Sequence, residues 1–218
     1  MQKRLVLLVI CTLALSALLA VPTAAQGPDT CTTYVADALD ATNAACTGLG
    51  RNEICYGNFQ ITPSLRAGAP TFTSQGDVVG VGDVQSLVLA PYTPEESVWG
   101  VAVAQIQANL PGTLPGQGVS IIVFGGARLE PTDNNMESFV FQGGVGAPSC
   151  ADAPNGLLVQ TPDGDAQVAF NINGVNVSLG STAYITADED DDLLFALLEG
   201  EADVTADGAT EQITGGEF

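Results

Sequence analysis

Histidine is absent from the 218 residues, lysine occurs once, at Lys3, and tryptophan once, at Trp99. Without an imidazole there is no Ser/His or Cys/His nucleophile pair and no histidine metal site. Beyond residue 3 the chain also lacks any amine for a Schiff base or a phosphate-cradling P-loop. No Gly-x-Ser-x-Gly stretch occurs. What remains for catalysis is a pair of carboxylates, as in glycoside hydrolysis. With 25 acidic residues some pair exists by chance, and the aromatics that line sugar clefts are scarce. The composition therefore points away from an enzyme and leaves a carboxylate-based carbohydrate-active enzyme as the last of three functional readings.

Positive charge is as scarce. The first residues, "MQKRLVLLVICTLALSALLAVPTAAQG", place Lys3 and Arg4 before an apolar run, Leu5 to Val21, that ends in small residues at Thr23, Ala24 and Ala25. This is the pattern of a secretory signal cleaved after Ala25. The alternative is an uncleaved anchor, since about 17 apolar residues just reach across a bilayer. Removing residues 1–25 leaves Arg51, Arg66 and Arg128 as the basic residues, for a formal charge of 3 − 25 = −22. Such a field repels phosphate backbones and anionic lipid heads, which excludes nucleic acid and electrostatic membrane binding as roles. A disordered acidic tail is excluded as well, because 46% of the chain is hydrophobic.

Past the leader four cysteines remain, Cys31, Cys46, Cys55 and Cys150, an even number that in an exported chain reads as two disulfides. If residues 31–46 form one helix, a rise of about 1.5 Å per residue separates Cys31 from Cys46 by roughly 20 Å, too far to bond. The preferred pairing is Cys46 with Cys55 and Cys31 with Cys150. Cys31 with Cys55 and Cys46 with Cys150 is the other that geometry leaves. Either ties the N-terminal segment to Cys150.

Residues 31–46, "CTTYVADALDATNAAC", put Val35, Ala38, Leu39 and Cys46 on one helical face, interrupted by Thr42. This helix is expected to pack as a cap on the strands after it. From Asn58 the chain becomes short runs of Val, Ile, Leu and Phe punctuated by Gly, Pro, Asn and Asp, the texture of an all-β protein, with the first strand expected at Gly57–Thr62. Along "WGVAVAQIQANL" the residues Ala102, Ala104 and Ile106 share a face opposite Val101, Val103, Gln105 and Gln107, so one side of that strand turns towards solvent at its far end. Trp99, leading into it, is read as core. Beyond Gly156, "PDGD", "NG", "DG" and "GG" supply hairpin chemistry between seven short strands, with breaks expected at Gly180 and Gly200. The fold class is mainly β, with antiparallel sandwich or roll segments under a short helical cap. The expected divisions are a signal at 1–25, a cysteine-containing cap at 26–56 and β segments at 57–150 and 151–218.

The C-terminal stretch carries a resemblance. An apolar strand, "NG" before "VNVSLGSTAYI", then "LLEGEADV" and a terminal "GGE" resemble the extracytoplasmic FecR-type β domain over about 60 residues. FecR proteins are envelope signal sensors with an inner sigma-factor regulating part, and free-standing secreted versions act as binding modules. This sequence has no evident inner domain, so the resemblance implies a binding module, and the positions matched, Gly174, Leu179, Gly180, Glu199 and Gly200, look like turn and core residues. Leader and resemblance together suggest a bacterial chain. That gives little weight to the "NVS" glycosylation pattern at Asn176, which also lies in an expected strand.

The acidic run "DEDDD", Asp188 to Asp192, is the one cluster with metal-ligating chemistry. Carboxylates at a loop tip supply hard oxygens for calcium, with Asp188, Asp190 and Asp192 as the ligand candidates. The run lacks the spacing of a calcium loop, and the preferred reading is a solvated connection whose charges guard "STAYIT" and "LLFALL" against pairing with other chains. Arg51 and Arg66 are expected to pair with carboxylates. No catalytic residue and no required cofactor are assigned. The functional expectation is a secreted, non-enzymatic recognition module for a protein or polysaccharide at the cell surface, with a self-associating structural protein of the envelope or matrix as the second reading.

Overall fold

A computed structural model of the chain describes residues 28–107, 118–144, 153–162, 167–187 and 192–215, with the side chains of its helix described from Thr33 onward. The leader, Cys150, Asp188 and Asp190 lie outside the described residues, as does the side chain of Cys31. One helix, α1, spans Pro28–Ala45 and begins at a proline, whose fixed φ suits the first helical position. The strands are β1 Glu53–Asn58, β2 Ile61–Leu65, β3 Val78–Gly80, β4 Val84–Leu89, β5 Val101–Ile106, β6 Val119–Phe124 and β7 Ala127–Pro131. They continue as β8 Ser138–Gln142, β9 Gly156–Gln160, β10 Val168–Ile172, β11 Val175–Ala187, β12 Leu193–Ala206 and β13 Ala209–Thr214.

All thirteen belong to one curled sheet, antiparallel except for the pairing of β8 with β10. One run reads β2, β4, β7, β8, β10 and the other β3, β1, β5, β6, β9. Both runs end on β11. Its first half, Val175–Leu179, pairs with β10, and Thr182 to Ile185 pair with β9. Since β12 pairs with β11 along nearly its whole length, β10 and β9 must share the opposite edge of β11. The sheet therefore forks there.

The two runs face each other across a single core. Leu87, Leu89, Leu129, Phe139, Phe141 and Ile172 come from the first run, and Ile54, Ala104, Ile106, Ile121, Val123, Leu157 and Val159 from the second, all in one buried cluster. The β segments at 57–150 and 151–218 are thus hydrogen-bonded into one sheet, with β9 between β6 and β11 and β10 between β8 and β11. At the far end, where β1 passes to β2, the Ile61 N–H donates to the Tyr56 hydroxyl at 2.9 Å and the Ala90 N–H to the Gln60 carbonyl at 2.8 Å.

A second, smaller cluster forms on the outer face of the second run. Ala38 of α1, with Tyr34, Val35 and Leu39, joins Val101, Phe124, Ile122, Leu158 and Tyr184, and Trp99 and Tyr92 from the loop before β5, in one cluster. Trp99 is fully buried, stacked on Phe124 at 5.6 Å between ring centroids. Thr42, the polar interruption of the helical face, is buried against β1 at Gly57, where a Cβ would meet the Thr42 Cγ2 at 2.6 Å. The helix can lie this close only because residue 57 has no side chain. Cys46, one residue past α1, is bonded to Cys55 in β1. The expected exposure of β5 is present too: Gln107 is exposed, while Val101 is covered by the helix.

Three expectations are corrected. β1 begins at Glu53, inside the segment assigned to the cap, so the cap is α1 and the turn after it. A strand expected from Gly57 to Thr62 is two strands with a break at Phe59–Gln60. The breaks at Gly180 and Gly200 do not exist, because β11 and β12 run on through both.

Candidate functional site

The fork owes its shape to those two glycines. Gly200 sits opposite Ser181, and Gly180 opposite Glu201, with the ladder shifting register between Thr182 and Ala183. Gly200 has φ +83°, and a Cβ there would lie 2.4 Å from the Gly180 carbonyl oxygen and from the Ser181 Cβ. Glycine lets the paired strands bend and bulge together instead of turning back. From this bend the β11–β12 hairpin can follow both runs, with β13 added beyond them.

Beside the bend lies a cavity of about 100 Å³ lined by Gln160, Thr161, Pro162, Gly180, Ser181, Thr182 and Glu199. Thr161 closes one wall, its N–H and hydroxyl both donating to the Ser181 carbonyl at 2.9 and 3.1 Å. The lining holds one carboxylate and no aromatic ring, so it does not offer the two flanking carboxylates of a glycosidase. Its volume matches a few water molecules.

The acidic run is the link between β11, which ends at Ala187, and β12, which starts at Leu193, two residues that pair with each other. Of the calcium candidates only Asp192 is among the described residues, and among these no group of three or more His, Cys, Asp or Glu residues converges on a point. Among the described residues, neither arginine expected to neutralise carboxylates is found in such a pair. Arg51 donates to the Gln107 amide oxygen at 3.5 Å, and Arg66 is exposed. The ion pair among the described residues is Arg128 with Glu130, neighbours on one face of β7, with Arg128 Nε donating to Glu130 Oε1 at 2.6 Å. Asn176, of the glycosylation pattern, accepts from the Asn171 amide at 2.9 Å across the β10–β11 pair.

Two tyrosines hold the outer layer. Tyr34 of α1 donates its hydroxyl to the Ser97 carbonyl at 2.5 Å, and Tyr184 of β11 donates to the Asn155 carbonyl at 2.6 Å. Burial pushes both hydroxyls above the ordinary tyrosine pKa. They act as structural anchors between the layers.

The most unusual surface is the first half of β12. β13 pairs with Glu201 to Ala206 and leaves Leu193 to Leu198 with β11 on one side and, among the described residues, no strand on the other. Leu193 and Phe195 turn inward and pack against the core. Leu194 and Leu198 turn outward, 57% and 45% exposed, the two most exposed large apolar residues of the described chain after Phe59 is set aside. This stretch pairs an open backbone edge with an apolar outer face. It is what strand addition by another chain requires. The continuous apolar run "LLFALL" was its only trace in the sequence.

No known family model, curated protein or solved structure matches this chain. Among the described residues no helix is long and apolar enough to cross a membrane.

Proposed function

We propose that this protein is a non-enzymatic binding module that works outside the cytoplasmic membrane, of the kind implied by the FecR-like pattern of its C-terminal strands. The observation that carries this reading is the half-open β12. The rest of the sheet buries most of its large apolar side chains in two clusters, whereas Leu194 and Leu198 stand in solvent beside a strand edge that, among the described residues, has no partner strand. Two exposed leucines on one face of one strand, set on an acidic surface, mark an interaction site. The Cys46–Cys55 disulfide suits an oxidising compartment, and the leader-like residues 1–25 supply the route to it. Absence of histidine and of lysine beyond residue 3 leaves few routes to catalysis. The partner, a protein or a polysaccharide, is met at the cell surface.

The test is a saturation experiment. Labelled protein from Gln26 onward is added to intact cells of the source organism, with unlabelled protein as competitor and a panel of polysaccharides assayed for cleavage. Saturable, competed binding without turnover is expected. Non-saturable binding, or release of reducing ends from any polysaccharide, would replace this reading with a structural or an enzymatic one.

A further inference from the structure

The binding reading leaves the partner's chemistry open, and the edge itself restricts it. We infer that Leu193 to Leu198 accepts by strand addition an extended peptide segment of a partner protein, apolar at alternate residues and bearing lysine or arginine at both ends. The inference rests on the reading of the protein as a binding module.

Backbone groups on an unpaired edge keep their full hydrogen-bonding capacity, and a strand is the ligand that satisfies a row of them at once. Six residues extend over about 20 Å, the length of a typical strand. Outward-facing Leu194 and Leu198, with Ala196 between them, give the incoming side chains an apolar surface at every second position.

Charge sets the ends. Asp192 precedes the edge, and Glu199 and Glu201 follow it, both exposed. A second copy of this chain is a poor occupant. Pairing β12 with the same strand of a copy would bring together two chains that each carry a formal charge of −20. Nor can a copy bring neutralising cations, since only three arginines lie beyond residue 25 and Arg128 is already paired with Glu130. The complement has to come from a different, basic chain.

A ten-residue acetylated and amidated peptide, three Val-Thr pairs between two lysines at each end, is the probe, with the same peptide ended by glutamates as control. Fluorescence anisotropy on the protein from Gln26 onward is expected to show saturable binding of the lysine peptide and binding at least about tenfold weaker for the glutamate peptide. Leu194→Lys with Leu198→Lys should weaken the lysine peptide by a further factor of about ten. Val140→Lys, an exposed apolar position on β8, should leave it unchanged. Leu194→Thr with Leu198→Thr keeps strand propensity and separates loss of the apolar face from added charge. Amide exchange should slow at residues 193–198 on peptide binding. Equal affinity for the two peptides, unchanged affinity in both double variants, or protection elsewhere would overturn the inference. So would dimers that form with concentration and vanish in Leu194→Lys with Leu198→Lys, which would assign the edge to a second copy. If these failures came with saturable binding to cells, the edge assignment would fall and the binding module would stand.

Discussion

β6 and the first half of β12 are close in composition, "VSIIVF" against "LLFALL", yet the fold treats them oppositely. β6 has β5 on one edge and β9 on the other, its inner residues Val119, Ile121 and Val123 lie in the core, and on its outer face Ile122 packs against the cluster that α1 joins. That half of β12 has the core beneath it but, among the described residues, one neighbour and no cover over Leu194 and Leu198. Apolar content alone does not bury a strand. Burial also needs a second neighbour and a layer on each face, and those come from elsewhere in the chain.

Substitutions should separate the two regions by their cost, measured by urea unfolding. The largest loss is expected in the enclosed core: Phe141→Ala, at a fully buried position, should cost about 3–5 kcal/mol. A cost under about 1 kcal/mol would mean that the two runs do not close on each other. Replacing Cys46 and Cys55 together by alanine should cost about 2–3 kcal/mol, the chain-entropy value for a short loop of nine residues' separation. That loss should disappear when the parent is reduced first.

The fork comes next. Gly200→Ala should cost about 1–3 kcal/mol, because its φ is +83° and the new methyl would collide with Gly180 and Ser181. Gly208→Ala, at φ +80° with nothing within 4 Å, carries only the backbone penalty of about 1 kcal/mol and serves as the reference. Equal losses at the two glycines would show that the close approach at the bend is not formed.

The outer layer has a pH signature. Burial raises the hydroxyl pKa of Tyr34 and Tyr184 in the folded state, so the neutral forms favour folding at every pH below about 10, the unfolded value. Above it that contribution is lost as the pH rises through the higher folded value. The melting temperature should therefore fall on the alkaline side, and Tyr34→Phe with Tyr184→Phe should flatten the fall while costing about 1 kcal/mol per lost hydrogen bond at neutral pH. An unchanged alkaline slope would refute the role of these two groups. The smallest effect belongs to the open edge: Leu198→Ala should change stability by less than about 0.5 kcal/mol. A larger loss would mean that Leu198 is covered.

Much of this was legible in residue order. Helical spacing in "YVADALDA" marked α1, and the alternation in "VAVAQI" marked which residues of β5 reach the core. Trp99 was expected in the core and is buried there. Gly180 and Gly200 misled because a glycine reads as a turn when its partner is unknown. Only the pairing of Ser181 with Gly200 shows that both permit a bend in two continuous strands. For the arginines, the ion pair found among the described residues joins Arg128 to Glu130, two residues apart on a strand, where period two puts both on one face.

By itself the sequence determined the β class, the helix, the scarcity of catalytic groups and the acidic surface, because those follow from composition and from periods of two and 3.6 residues. Tertiary structure alone decided that β9 and β10 enter the same sheet as the strands before them, that β11 serves both runs, and that the edge of β12 from Leu193 to Leu198 stays open among the described residues. The reason is physical. A strand's side-chain pattern specifies which of its faces is apolar, but its hydrogen-bonding edges are alike in every sequence, and only the packing of the whole chain fixes which edges are filled.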